Sequence, residues 1–303
     1  MPRPDPLSPN AQGALWLLAS VAGATAMTVA VRLLSPELHT SMLAFLRSAF
    51  AAVLVLPFLV RARLSGGAPI RFSRWPLHLL RGLLIGVALN SGFYAIAHLE
   101  LATSTILFFL APAFATAFAA LFMGEPVGLR RWGAIAAGLL GAVVILRPGI
   151  AAFDPVMAIA ILSALAFAAA LIIGRQIGSV DGSDAVFVSS SIVVVAATLP
   201  PALFVWGLPQ GGLAWAILAV LVLGSAVRTY SDIRAYAVGD AGFIAPFTYL
   251  RLITVGLAGW LLFGETIDGW TAAGGAIIIG ATLYISLRET RLRRRVARGA
   301  AAP

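Results

Sequence analysis

Long apolar runs alternate along the chain with short polar breaks, and the breaks are rich in proline, glycine and arginine. A helix needs about 20 apolar residues to cross a hydrocarbon layer of about 30 Å, and run after run approaches or passes that length. The pattern predicts ten spanning helices, at about 13–34, 39–60, 75–98, 101–123, 131–146, 155–175, 185–206, 213–236, 240–263 and 269–287. Pro148 and Gly149 stop the fifth run. Asp154 stands where a cap is needed for the sixth, with Pro155 in its first turn. The runs are continuous rather than alternating, which excludes a β-barrel.

Composition narrows the class to an all-α polytopic membrane protein. Mean hydropathy is +0.97, with 60% hydrophobic and 11% charged residues, far from any soluble domain. Thirty glycines and 17 prolines suit a membrane bundle, where small residues let backbones approach and neighbours satisfy freed carbonyls. There is no cysteine, hence no thiolate metal site and no disulfide. No Asp/His/Glu cluster of the kind a membrane enzyme needs and no phosphate-binding glycine motif is present, so neither enzyme nor ATP-driven pump is expected. No metal and no cofactor are expected either.

The net charge of +9 comes from arginine alone. The arginines sit in short loops and a tail, the distribution of positive-inside topology rather than of nucleic-acid binding. Arg3, Arg61, Arg63, Arg71, Arg74, Arg130, Arg131, Arg175, Arg234 and the six tail arginines fall on one side, against Arg147 and the edge residue Arg32 on the other. Both termini are therefore expected in the cytoplasm, with the chain in a bacterial-type inner membrane.

One stretch recurs. GEPVGLRRWGAIAAGLLGAVVILRPG from Gly124 returns in altered form as GETIDGWTAAGGAIIIGATLYISLRE from Gly264. In each copy a Gly-Glu pair ends one apolar run and a glycine-rich run follows. Five spans separate the copies, an odd number, so the halves are expected to be inverted, the common plan of secondary transporters. The division is a disordered N-terminus at 1–12, a first repeat at 13–149, a second at 150–288 and a basic cytoplasmic tail at 289–303.

These stretches, with Leu80 to Gly149 and Ala245 to Glu289 around them, resemble the drug/metabolite transporter superfamily, in particular its EamA-type ten-helix branch. The resemblance implies two inverted five-helix EamA repeats and a carrier of small polar metabolites. Amino-acid export, aromatic amino acids included, is the first cargo it suggests. Uptake or exchange of S-adenosylmethionine or a nucleotide-like metabolite is the alternative, suggested by the FTYLR…FGE block. Proton coupling, exchange and facilitated diffusion stay open, and the protein is expected as a monomer or weak dimer. In one place the repeats depart from each other: Ala111-Pro112 in the fourth span faces Arg251-Leu252 in the ninth.

Charge within hydrocarbon is costly and faces a polar interior unless it can snorkel to an edge. At about 1.5 Å per residue, Arg47, Arg228 and Arg251 all lie roughly 12–18 Å from a membrane edge, near the midplane. Asp232 sits one turn from Arg228 on the same face. These four are the core candidates for a carboxylate-recognising site; snorkelling or pairing with backbone is the plainer alternative for each arginine. Asn90 adds a mid-depth amide. Tyr94, Phe108, Tyr230 and Phe247 are candidates for stacking on a ring, with Thr248 beside them. Pro112 is a candidate kink whose freed carbonyl faces substrate. Glu125 and Glu265 are read as helix-end pairing groups, for instance with Arg130 or Arg131, and otherwise as gate components.

Overall fold

A computed structural model describes residues 8–64, 72–124, 128–147 and 154–300, with side chains not described at 54–64, 183–184, 241–242, 245 and 286–300. Glu125, Arg3, Arg71 and the Pro148-Gly149 break lie outside the described residues. The described chain is helical throughout and folds into a polytopic bundle. Eight helices are long and apolar enough to cross a membrane, and two shorter apolar helices, Thr40–Val53 and Gly269–Ile285, accompany them.

In chain order the helices are α1 (Pro9–Leu34), α2 (Thr40–Leu64), α3 (Trp75–His98), α4 (Leu101–Met123), α5 (Leu129–Leu146), α6 (Pro155–Gly182), α7 (Ala185–Leu203), α8 (Gly211–Val238), α9 (Pro246–Phe263) and α10 (Gly269–Ala300). Three boundaries differ from expectation. The first helix starts at Pro9 rather than after residue 12, because Ser8 caps it by accepting from the Ala11 amide at 3.3 Å and proline suits the first turn. The sixth runs on to Gly182, where a left-handed backbone (φ 84°) turns the chain into α7. The last continues as helix to Ala300, beyond its apolar part. The expected Asp154 cap is present, accepting from Val156 N at 2.8 Å.

Two helices are locally broken. α4 is interrupted at Phe109 and Leu110 and restarts at Ala111 with Pro112 in its first turn. α9 begins with a 3-10 turn over Ala245–Tyr249 before its regular part, Leu250–Phe263. Proline in the first turn loses no backbone hydrogen bond, so Pro112 and Pro246 each mark a helix start rather than a mid-helix kink.

Packing rests on small residues, as it must where lipid competes with side chains for apolar contact. α1 crosses α8 at Gly23 and Gly224; a Cβ on Gly23 would lie 2.6 Å from the Gly224 carbonyl oxygen. α5 crosses α10 in the same way at Gly141 and Gly274. α3 lies along α6 and α7, with Gly82 against Val193, Gly86 against Ala197 and Gly92 against Ser163. The largest buried cluster draws Met27, Val31 and Leu34 of α1, Met42 and Leu43 of α2, Phe93 and Ile96 of α3, and Leu218 and Leu221 of α8 into one core.

Candidate functional site

The α1–α8 crossing determines which polar groups meet. With Gly23 against Gly224, the next turns bring Ser20 of α1 to Asp232 of α8, and the serine hydroxyl donates to Oδ1 at 2.5 Å. Asp232 Oδ2 stands 4.0 Å from Arg228 Nε, a loose pair whose side chains keep 39% and 34% exposure. On the other side of α1, Thr25 meets Thr254 of α9, hydroxyl to hydroxyl at 2.6 Å. Thr254 also donates to the carbonyl of Arg251, one turn back. Helices α1, α8 and α9 are thus joined by short polar side chains that the sequence reading did not select.

The three mid-depth arginines occupy one electrostatic neighbourhood. Arg228 acts on both Arg47 and Arg251, and Asp232 on Arg251. Nε of Arg47 and of Arg251 is buried with no hydrogen-bond partner, and among the described residues neither arginine has an ion-pair partner. Three guanidinium groups and one carboxylate, itself held by a serine, leave the cluster with an excess of positive charge. Buried charge left unpaired is expensive, and a polar ligand that pairs it recovers part of that cost.

The remaining candidates are placed as follows. Thr248 lies half-buried in the 3-10 turn, and the neighbouring Tyr249 packs its ring on Phe109 at 5.1 Å. Phe247 packs on the cluster of Leu17, Ala235 and Ile244, and Phe108 on the two main apolar clusters. Tyr94 stacks on His98 at 4.1 Å on its own helix. Tyr230 is 57% exposed and meets Trp16 edge-on, with Arg234 over the same indole. Pro112 is exposed. Asn90 Nδ2 donates to the Gly86 carbonyl, and the residue lines a crevice of about 350 Å³ between α2, α3 and α7, walled by Leu83, Val87 and Pro201. Of these, Tyr230 and Phe108 make packing contacts with other apolar side chains.

Two polar clusters lie near the helix ends. At one, His78 is 3% exposed, with Nδ1 at 2.6 Å from Ser189 Oγ and Nε2 at 3.0 Å from Asp181 Oδ2. Asp181 also accepts from the amides of Ser73 and Arg74, so it closes the start of α3 against the α6–α7 corner. The Ser-His-Asp order is that of a hydrolase, but Ser189 donates to the Val186 carbonyl and all three groups serve as a tie between helices. At the opposite face Glu265 pairs with Arg32, 2.5 Å away, rather than with an arginine of its own neighbourhood, and Arg147 pairs with Asp268. Glu100, beside them, has its carboxyl pushed up by burial and by the Glu265 and Asp268 carboxylates, against a hydrogen bond from Thr103.

A bundle of apolar helices with a cationic cluster inside it is the build of a membrane carrier. Among the described residues no group of His, Asp and Glu is arranged to hold a metal ion. The chain belongs to the EamA-like transporter family, which matches residues 11–147, and hence to the drug/metabolite transporter superfamily. It is a multi-pass secondary transporter of small polar metabolites and not an enzyme. It is 31% identical to the S-adenosylmethionine uptake transporter of Rickettsia felis over 96% of this chain and 98% of that protein. The Riboflavin transporter of Vibrio cholerae is 31% identical over 94% and 96%, and the Pseudopaline exporter CntI of Pseudomonas aeruginosa 29% over 89% and 95%. A solved crystal structure superposes with a TM-score of 0.60 at 17% identity, covering 93% of this chain and 99% of that one, a likeness of fold alone.

Proposed function

We propose that the protein takes up or exchanges a zwitterionic, ring-bearing metabolite of the S-adenosylmethionine or nucleotide-like class, bound at Arg47, Arg228, Arg251 and Asp232. The observation that carries this reading is the charge pattern of the cluster. Among the described residues Arg47 and Arg251 have no acidic ion-pair partner and suit the carboxylate of the cargo, while Asp232, fixed by Ser20, offers an acceptor for its cationic group. Tyr236 and Thr248 stand on the same helices, α8 and the start of α9, to receive the ring and its polar edge. The relatives support this cargo over the amino-acid export that the sequence first suggested, since S-adenosylmethionine and riboflavin carriers match nearly the full length.

The carrier frame we infer has ten spans, two inverted halves at 13–149 and 150–288, and both termini in the cytoplasm of a bacterial-type inner membrane. Gly124 (φ 65°, ψ 19°) and Gly264 (φ 66°, ψ 20°) end α4 and α9 in the same left-handed conformation. Phe109 and Tyr249 lie the same number of positions before those glycines, one at the α4 break and one at the end of the 3-10 turn, and their rings meet. Equivalent residues in contact are what a two-fold axis between the halves produces. The helix pairs agree, because exchanging the halves turns the α1–α8 pair into α6–α3 and leaves α5–α10 unchanged.

The test is flux into proteoliposomes. Labelled S-adenosylmethionine should enter saturably, be accelerated by the same compound on the far side, and lose its entry in Arg251→Gln. Riboflavin and tryptophan as competitors, with and without a pH gradient, separate the cargo classes and the coupling. Robust tryptophan efflux without S-adenosylmethionine binding would return the amino-acid reading. Outward movement is the second reading for direction, favoured by the likeness to an exporter.

A further inference from the structure

Arg32 ends α1, and its guanidinium is spent on the ends of other helices. Nη1 donates to the carbonyls of Ile96 at 2.9 Å, Ala97 at 2.7 Å and Leu99 at 3.0 Å, the acceptors that the last turn of α3 leaves without helical partners. Nη2 donates to Glu265 Oε1 at 2.5 Å, and the Phe263 ring lies 5.7 Å from the guanidinium carbon. Glu265 Oε2 in turn accepts from the amide of Leu101 at 2.7 Å, the first residue of α4 and one of its unpartnered donors. One ion pair therefore joins α1, the α3–α4 turn and the α9–α10 turn.

The distribution of these bonds is uneven in a telling way. The hydrogen bonds that Arg32 donates besides the one to Glu265 all go to the α3–α4 turn, while Glu265 bonds α1 through Oε1 and the start of α4 through Oε2. The backbone of Glu265 is anchored to α9, its amide donating to the Gly259 carbonyl at 3.1 Å. The Glu265 carboxylate thus ties the end of α9 directly to α1 and α4 and, through Arg32, to the end of α3. The cluster of Thr25, Arg251 and Thr254 lies deeper on the same two helices. At about 1.5 Å per residue it is roughly 10 Å below the pair along α1 and roughly 15–20 Å along α9. The side chains keep 20% and 11% exposure at the helix ends, so a parted pair does not leave charge at the middle of the hydrocarbon.

We propose that the region around Thr25, Thr254 and Arg251 is the cargo chamber, that Arg32 and Glu265 form the latch that closes it on the face opposite the termini, and that each transport cycle breaks and remakes this latch. The inference rests on the alternating-access reading but not on the identity of the cargo.

The absence of cysteine makes the test direct. Thr254→Cys places one thiol in the chamber, and a membrane-impermeant maleimide applied to cells and to inverted vesicles reads its accessibility from each side; a tag on the C-terminus reports which side holds the termini. Adding Glu265→Gln should raise labelling through the face opposite the termini by about tenfold, as expected when a charge-assisted hydrogen bond is lost from one of two states, while the other face gains nothing. Arg32→Gln should do the same. Equal labelling with and without these changes, or an equal rise from both faces, overturns the latch and leaves a structural staple. Should Glu265→Gln fail to fold, Arg32→Cys with Glu265→Cys, joined by a reducible bifunctional thiol reagent, should stop flux until reductant is added; flux that continues through the link also overturns it. Normal labelling shifts together with undisturbed transport in Arg251→Gln would sink the cargo site and leave the latch standing.

Discussion

The face opposite the termini and the middle of the bundle use arginine in opposite ways. At the face, Arg32 and Arg147 are each matched to a carboxylate, Glu265 and Asp268, and Arg32 adds three backbone carbonyls. In the middle, Arg47 and Arg251 have no ion-pair partner among the described residues, and Arg228 reaches its only one at 4.0 Å. The difference separates two uses of charge. Where arginine meets a carboxylate it holds helices together; where it has none, it is the group that the proposed cargo would pair.

The contrast is broken most severely in the middle. Arg251→Gln should lower transport about 10- to 100-fold, the loss of a charge-assisted hydrogen bond of about 1.5–3 kcal/mol. Thermal unfolding in detergent should stay level or rise, since an unmatched buried charge is removed. A fall in stability with transport intact would make Arg251 a structural residue after all. Asp232→Asn should act next most strongly, by about tenfold and selectively: cargo with a cationic group should lose affinity, and a neutral flavin should not. Competition binding checks it, and an equal loss for both cargoes would contradict the assigned role.

Smaller effects test the frame. Gly23→Val drives a side chain into the Gly224 carbonyl and should cost about 1–3 kcal/mol of stability by overpacking, read as a lower unfolding midpoint. Asp268→Ala should cost least, about 1 kcal/mol, because it removes a helix cap: Asp268 accepts from the Trp270 and Thr271 amides at 2.9 and 3.1 Å. Burial opposes its ionisation, but the Arg147 pair, the Thr271 hydroxyl and the two amides together hold its carboxyl down to about 2. A carboxyl depressed below its unfolded value of about 3.9 contributes fully above that pH and less as pH falls toward about 2. The penalty should therefore be the same at pH 5 and pH 8 and shrink only in strong acid.

Most helix positions, the Asp154 cap and the glycines that end α4 and α9 were legible in the sequence because each depends on composition and spacing within one run. Pro112 marked the place where α4 breaks, although it restarts the helix there rather than bending it. The partners were not legible. Arg32 looked like an ordinary edge residue, and nothing near it in the chain points to a glutamate 233 positions away. Local spacing pointed Glu residues at Arg130 and Arg131 instead. His78 is buried between Ser189 and Asp181, partners more than a hundred positions away that nothing beside it in the chain announces. Ser20, Thr25 and Thr254 carried no signal beyond being small polar residues in apolar helices, which are as often bonded to their own backbone as to a neighbour.

The glycine crossings bear on what moves. α1 is locked backbone to backbone onto α8, α5 onto α10, and α3 lies along α6 and α7. Every one of these tight seams joins a helix from the front of the chain to one from the back. In the cycle proposed above, the rigid pieces would be mixed assemblies, and neither half of the polypeptide would travel as a unit. Cutting the chain between the two copies would separate stretches of sequence without separating the parts of the machine.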